Sequence, residues 1–509
     1  MVLEEKTGSK ALLKLRTRWK GDRAMKIFNA PCLQKSPAEP TDSPKETIAF
    51  SSSTSLHGVA RATSAQSRAQ RAFWMTVVVA GVAMAGWQVA LRLAAYYAWP
   101  TSTSLTLHYV RDLSFPAVTF CNYNRYRRSS LQGTTDLLAA LSILSAGVVD
   151  EWPEEVADEV RRFWEENLNF STRTFTRKHG FQLNPASLLE CNFNSRPCGP
   201  QDFQHVFTEY GNCYTFNGGF SEEQRSLKQK TAGAGKGLQV LFDVQQWDYW
   251  ENPELGFTGV GIRLVVHDPD EPPQVEALGL SIGVGTQAYV SVQHTKSINQ
   301  QYPWGDCDPS KKLQSPAPYS MARCIQECEA DLVERICGCK PFNFPGDIEE
   351  CSLYQHYHCA RDALVLSQAQ GMCTGGSHLS QCPVPCLQKG FPSSVSYATF
   401  PSLQASHRYE RSINHSLAYM RENLVSIDVA YTGLNYALIQ QQKTLPESVL
   451  LSDIGGQLGL FVGASVITII EVLEFVARSA ARALNAVASF LGNRAATCTK
   501  AALSPPVQG

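Results

Sequence analysis

Two stretches of unbroken apolar character lie near the ends of the chain, and almost everything between them alternates. The first, Phe73-Trp74-Met75-Thr76-Val77 through Leu91, is 19 residues without a charge. Extended past Arg92 to Tyr96, Tyr97 and Trp99, it predicts a membrane-spanning helix with an interfacial aromatic belt, Arg92 snorkelling outward. The second lies between Asp453 and Glu471, 17 uncharged residues. It amounts to about 25 Å of helix, which with its flanks crosses a hydrocarbon core of roughly 30 Å.

The second stretch is no plain anchor. Gly455, Gly459 and Gly463 recur every four residues and leave one helix face nearly bare, a surface for close helix packing or for exposed backbone carbonyls. Packing and pore are both readings of the glycines alone. Glu471 and Glu474, one turn apart, favour the pore: a carboxylate in a span costs roughly 3 kcal/mol and faces a partner or water. Asp453 repeats the negative sign at the other end.

Between the spans the pattern changes period. Leu113–Asn122 has the β-rich apolar character of a strand, and residues 135–166 read as helical with a solvated acidic end. Residues 237–300 alternate apolar and polar positions in short runs broken by Pro and Gly, a sheet pattern. Asn423–Tyr431 reads as a strand returning to the second span. Gly279-Leu280-Ser281-Ile282-Gly283 fits a hydrolase pattern, but that motif needs a strand before and a helix after. Here strand-like residues follow, so Ser281 is read as a strand-turn residue. No zinc-protease or phosphate-loop motif accompanies it, and no enzyme activity, metal or cofactor is expected.

The net charge of −1 says little until it is divided along the chain. Residues 1–72 carry 13 Lys/Arg against 6 Asp/Glu, and residues 476–509 carry 4 against none. Basic ends flanking two spans predict both termini in the cytoplasm, beside anionic lipid rather than nucleic acid. The N-terminal residues lack the apolar core of a cleavable signal, and Pro31–Pro44 reads as linker. The 351 residues from 98 to 448 are then extracellular. They hold 14 of the 16 cysteines, and the acceptor sequons at Asn169 and Asn414. An even, dense set of cysteines outside the cell predicts disulfides over zinc, but spacing cannot choose the pairs.

Leu451-Ser452-Asp453-Ile454-Gly455-Gly456-Gln457-Leu458-Gly459-Leu460-Phe461 with Gly463-Ala464-Ser465 resembles the second membrane helix of the epithelial sodium channel/degenerin/acid-sensing channel family. Phe115-Pro116-Ala117-Val118-Thr119 resembles its ectodomain signature. The resemblance covers about residues 48–478. It implies an α+β membrane protein: two transmembrane helices around a disulfide-rich ectodomain, assembled as a homotrimer or a heterotrimer with related subunits. The parts would be 1–72 cytoplasmic, 73–97 first span, 98–448 ectodomain, 449–475 second span and filter, and 476–509 cytoplasmic tail.

By the same resemblance Gly463, Ala464 and Ser465 form the selectivity filter for sodium, and Asp453, Glu471 and Glu474 attract cations. His57 and Gly58 belong to a gating element, Ser452 is the position where bulk holds the pore open, and Trp99 against Trp304 couples ectodomain to first span. The implied pairs are Cys121-Cys213, Cys191-Cys198, Cys307-Cys386, Cys324-Cys382, Cys328-Cys373, Cys337-Cys359 and Cys339-Cys351. The implied activity is an amiloride-sensitive sodium channel of the plasma membrane. Acid-activated members carry a histidine pair where Pro100 and Thr101 stand, which speaks against simple proton gating. Ala98–Ser104, Tyr302–Gly305 and Gln440–Lys443 resemble the branch that answers to bile acids. A proton-gated sodium channel, an ATP-gated trimer and a non-conducting receptor or adhesion subunit are the alternatives.

Overall fold

The computed structural model describes residues 50–144, 153–218, 227–250, 258–315, 317–344 and 349–501. The basic N-terminal stretch, the Pro31–Pro44 linker and Cys32 lie outside the described residues. The chain divides into two compact units, Gly86–Gln457 and the terminal segments up to Ala85 and from Leu458 onward.

Gly86–Gln457 is organised by one strand of 20 residues, Leu424–Lys443. Over its first half it pairs antiparallel with Leu238–Asp243, and over its second half with Thr101–Tyr109; Thr286–Ile298 lies parallel along its other edge. Val425, Ile427 and Val429 alternate into the core at no more than 1% exposure, and Ala288, Val290 and Val292 do the same on the parallel neighbour. A second sheet runs in the order Leu280–Gly283, Gly261–His267, Ala117–Asn122, Gly211–Phe216, Phe203–Thr208. The two sheets share one apolar core, where the rings of Phe120 and Phe242 lie 5.1 Å apart beside Phe203, Phe216, Ile262 and Leu264. Side chains from two inner faces interdigitating is what alternation on both sheets requires.

Ser281 is in the strand Leu280–Gly283, preceded by the one-turn helix Val275–Leu278. Its hydroxyl bonds the Tyr123 hydroxyl (2.6 Å) and the Arg263 guanidinium (3.0 Å). The order, helix then strand, is the reverse of a nucleophile elbow. Of the helical stretch expected over 135–166, Thr134–Leu144 and Glu154–Glu166 are helices; residues 145–152 between them are outside the described set. Trp164 is 1% exposed, its ring 4.6 Å from Tyr357.

The cysteine-rich half centres on the helix Met321–Cys337. Ser320 caps its start by accepting the Arg323 N–H, and Gly338 in the left-handed region ends it. Its Cys324 and Cys328 lie one turn apart on one face. Disulfides join Cys307–Cys386, Cys324–Cys382, Cys328–Cys373, Cys337–Cys359 and Cys339–Cys351, nested loops whose sequence separations shrink from 79 to 12. Cys121–Cys213 crosses neighbouring strands and Cys191–Cys198 closes a hairpin. All fourteen sulfurs are thereby oxidised, and none is left as a thiolate ligand.

The helix Arg68–Tyr97, which runs from one unit into the other, is apolar enough to cross a membrane, with a mean hydropathy of 1.7. The second apolar stretch departs from the single helix read from its sequence. It forms Glu447–Val462 and Val466–Ala501, bent by 76° at the break between them. Gly463 has φ +70°, a left-handed conformation open to glycine, so the helix stops there.

Candidate ion pathway and gating site

The break at Gly463-Ala464-Ser465 follows from its residue types. Gly463 N–H still reaches the Gly459 carbonyl (3.1 Å) and Ala464 N–H the Leu458 carbonyl (3.2 Å), closing the last turn. Ser465 then opens the next helix: its hydroxyl accepts from Thr468 N–H (3.3 Å), and the Thr468 hydroxyl accepts from Ser465 N–H (3.1 Å). This reciprocal pair is a capping box with threonine in the usual glutamate position. A glycine that ends one helix and a serine that begins another leave three residues of non-helical backbone inside an apolar run, tolerated at membrane depth only where it lines a cavity or is buried in protein.

The N-terminal segment lies against this break. His57 N–H donates to the Val462 carbonyl (3.0 Å), and a Cβ on Gly463 would run into the His57 ring. Gly58, at φ +83°, starts the helix Val59–Ser64, and a side chain there would press on Val78. Ser55 ties its hydroxyl to that of Thr468 (2.6 Å) and its N–H to the Glu471 carboxylate (3.3 Å), while Phe50 stacks on Phe475 at 4.4 Å. Glu474 pairs with Arg478 one turn on. Both carboxylates therefore have local partners; the Ser55 bond to Glu471 had no signal in the sequence.

Asp453 pairs with Arg92 (3.6 Å), so the arginine expected to snorkel is held by the acid expected to draw cations. The Ser452 hydroxyl bonds the Ser448 carbonyl (2.9 Å) and its side chain is exposed. Side chains built at Gly455 or Gly456 would meet nothing within 4 Å.

Where the first helix ends, Trp99 adopts φ +51° and its ring stands edge-on to Trp304 at 4.7 Å, with Tyr96 beside both. Lys443 lies 3.7 Å over the Trp304 ring and bonds Glu447 (2.8 Å), and Thr444 N–H reaches the Pro100 carbonyl (3.0 Å). An ammonium on an indole face contributes about 0.5–2 kcal/mol. Lys443 is the residue sequence reasoning left without a role. The sequon residues Asn169 and Asn414 are both exposed.

A broken apolar helix, a double sheet laced with disulfides and an aromatic contact at the end of the first apolar helix are together the features of a channel-forming membrane protein. The amiloride-sensitive sodium channel model matches residues 50–475, and the chain belongs to that family. Among curated relatives it is 42% identical over 451 residues to the human (Homo sapiens) bile acid-sensitive ion channel, covering 87% of this chain and 88% of that protein. The rat (Rattus norvegicus) bile acid-sensitive ion channel is 41% identical over 86% of this chain and 88% of its own. Chicken (Gallus gallus) acid-sensing ion channel 1 is 32% identical, over 84% and 82% respectively. A cryo-EM structure of a proton-activated chloride channel aligns with a TM-score of 0.31 at 8% identity over 79% of this chain and 97% of that one, too distant to bear on fold or ion. This chain is a ligand-gated sodium channel subunit.

Proposed function

We propose that the chain forms a plasma-membrane sodium channel opened by bile acids or related amphipaths and blocked by amiloride. Two spans per chain cannot enclose a pore, so three subunits, identical or related, surround it. Residues 73–97 and 449–475 cross the bilayer, 98–448 lie outside, and residues 1–72 and 476–509 lie in the cytoplasm. The observation that carries the reading is the break at Gly463-Ala464-Ser465: three copies would converge their backbone oxygens on a small cation. The open glycine face at Gly455 and Gly456 supports close packing of neighbouring chains. Asp453 would draw cations at the outer mouth and Glu471 and Glu474 at the inner, once local partners exchange. His57 and Gly58 would brace the filter, since the His57 ring occupies the space beside Gly463. Trp99 against Trp304 would pass ectodomain movement to the first span, and bulk at Ser452 would hold the pore open. The glycan sites are Asn169 and Asn414.

Bile acid as the activator rests on the relatives' names and on Pro100 and Thr101 in place of the histidine pair. The test is whole-cell sodium current from cells expressing this chain alone, with separate steps to deoxycholate and to acid pH. The expected result is an amiloride-blocked current under deoxycholate, lost in Gly463→Ala, whose side chain has neither an allowed φ nor space. A large transient current under acid alone would move the chain to proton gating. Absence of current even with Ser452 enlarged, despite surface expression, would refute the pore.

A further inference from the structure

A cavity of about 380 Å³ in the Gly86–Gln457 unit lies against the second sheet, where the helices Thr172–His179 and Met321–Cys337 approach it. That volume falls in the roughly 300–1,000 Å³ range of small-molecule sites. Its apolar lining is Phe207, Phe342 and Phe344, and its basic lining is Arg173, Arg177 and Arg323. Resting on the bile acid reading above, we infer that this cavity binds the activating amphipathic anion, the rings receiving the hydrocarbon body and the arginines its carboxylate or sulfonate.

The three arginines are arranged for different duties. Arg173 is committed to the frame: its guanidinium donates to the carbonyls of Phe342 (2.8 Å) and Phe344 (2.8 Å), fixing both rings, and lies 5.7 Å from the Phe207 ring. Arg177, exposed on the same helix, also lies over that ring, at 5.4 Å. Arg323 gives one nitrogen to the Asp270 carbonyl (3.0 Å), but its Nε is buried with no protein acceptor. A buried guanidinium N–H without an acceptor costs about 1–3 kcal/mol. An anion in the cavity would relieve that cost with a charge-assisted bond.

Two glutamates oppose the basic charge, and both are restrained. Glu276 accepts the Glu209 N–H at 2.9 Å. Glu271 is pushed up to about 7 by burial and then by Asp268, while Lys389 and Arg323 pull it back and Asp270 adds to the rise. The nearby His205 and His267 are kept below the usual imidazole range by burial, His267 at about 4. Acidification from pH 8 to 6 therefore protonates Glu271 and leaves the cavity more positive. Anion binding strengthens over that window.

The probe is deoxycholate carrying a photoreactive diazirine, applied to the full-length chain in native membrane vesicles, with label mapped by peptide. Label on residues 204–208 or 342–344, displaced by excess deoxycholate and reduced about tenfold or more in Arg177→Glu, is the expected result. Arg177 is exposed, so its replacement spares the fold, and Arg177→Lys should keep most of the label. Stronger labelling at pH 6 than at pH 8, abolished in Glu271→Gln, is the second expectation. Label confined to the segments 68–97 and 447–501 would overturn the inference, whatever the currents. Label in the cavity without deoxycholate-evoked current would leave the site standing and refute the proposed gating instead.

Discussion

The double sheet and the cysteine-rich helices solve the same problem by opposite means. In the sheet, residues such as Phe120, Leu238, Phe242, Ile262, Leu264 and Ile427 are at most 2% exposed and pack around one another, so burial at about 25 cal/mol per Å² holds the region. Around Met321–Cys337 the buried cluster among the described residues is Val333, Cys339, Cys351, Ala360 and Ala363, two of them half-cystines. Ile336, Val365 and Leu366 remain about half exposed there. Helices that short of core are held by covalent links, which restrict the unfolded chain rather than reward the folded one. A region held by cross-links keeps its shape while presenting polar and apolar side chains freely, as a cavity wall carrying Arg323 requires.

The difference is broken most strongly from the sheet side. Phe242→Ala removes a ring at 1% exposure between two sheets, and about 3–5 kcal/mol of stability should go with it. Thermal unfolding of the detergent-solubilised chain would register a large fall in melting temperature, with surface expression falling alongside. An unchanged melting temperature would mean the shared core is not what holds the sheets.

Next comes the cystine side. Cys328→Ser with Cys373→Ser opens a loop of sequence separation 45 and should cost about 2–4 kcal/mol. A reductant applied to the wild-type chain sharpens the contrast: hydrogen exchange should accelerate across 321–370 while Gly261–His267 stays protected. Equal loss of protection in both regions would show that they unfold as one body. Val333→Ala, the smaller change within the same helices, should cost about 1–2 kcal/mol, less than either, because there is little core for it to leave empty.

The two regions also differ in how far their sequence disclosed them. Alternation over Leu238–Phe242 and Gly261–Val266 is the signal of a half-buried strand, and those strands were legible as such. Thr101–Tyr109 was not: its run rich in Ser and Thr carried no strand reading, and it is a strand because Asn435–Lys443 supplies nine residues of ladder from the far end of the chain. The bend at Gly463 was hidden inside an apolar run of spanning length, although a glycine two residues before the Ser465 cap, with Thr468 three residues beyond it, carried the cue. Spacing left every cystine pairing open, since nested loops look alike along a chain. Arg92 with Asp453, Lys443 on Trp304, and the cavity formed by residues 173, 207, 323 and 342 are contacts between distant segments. No local pattern encodes those.

The smallest expected effect separates the regions by pH. His294 lies at 6% exposure in the larger sheet, among Phe391, Tyr431 and Tyr436, with neither ring nitrogen hydrogen bonded. Burial first, and then the positive charges of Lys296 and Lys389, hold its pKa down at about 4, below the ordinary imidazole value of 6.5. Between those two values the unfolded chain binds the extra proton, so this group's contribution is intact above pH 6.5 and is lost as pH falls toward 4. Glu271 works against it: its raised pKa makes the folded state the better proton binder between its ordinary value and 7, so stability gained there falls as pH rises through that window. His294→Phe keeps a flat ring in an aromatic site and removes the titration. Its melting temperature should exceed that of the wild type by several degrees at pH 5 and by less at pH 8, while the rate of reductant-driven opening across 321–370 stays the same at both. A variant whose advantage did not grow on acidification would mean that the imidazole stays neutral for a reason other than its burial in the sheet. A change in the opening rate would mean that the cystine-held helices draw their stability from the sheet after all.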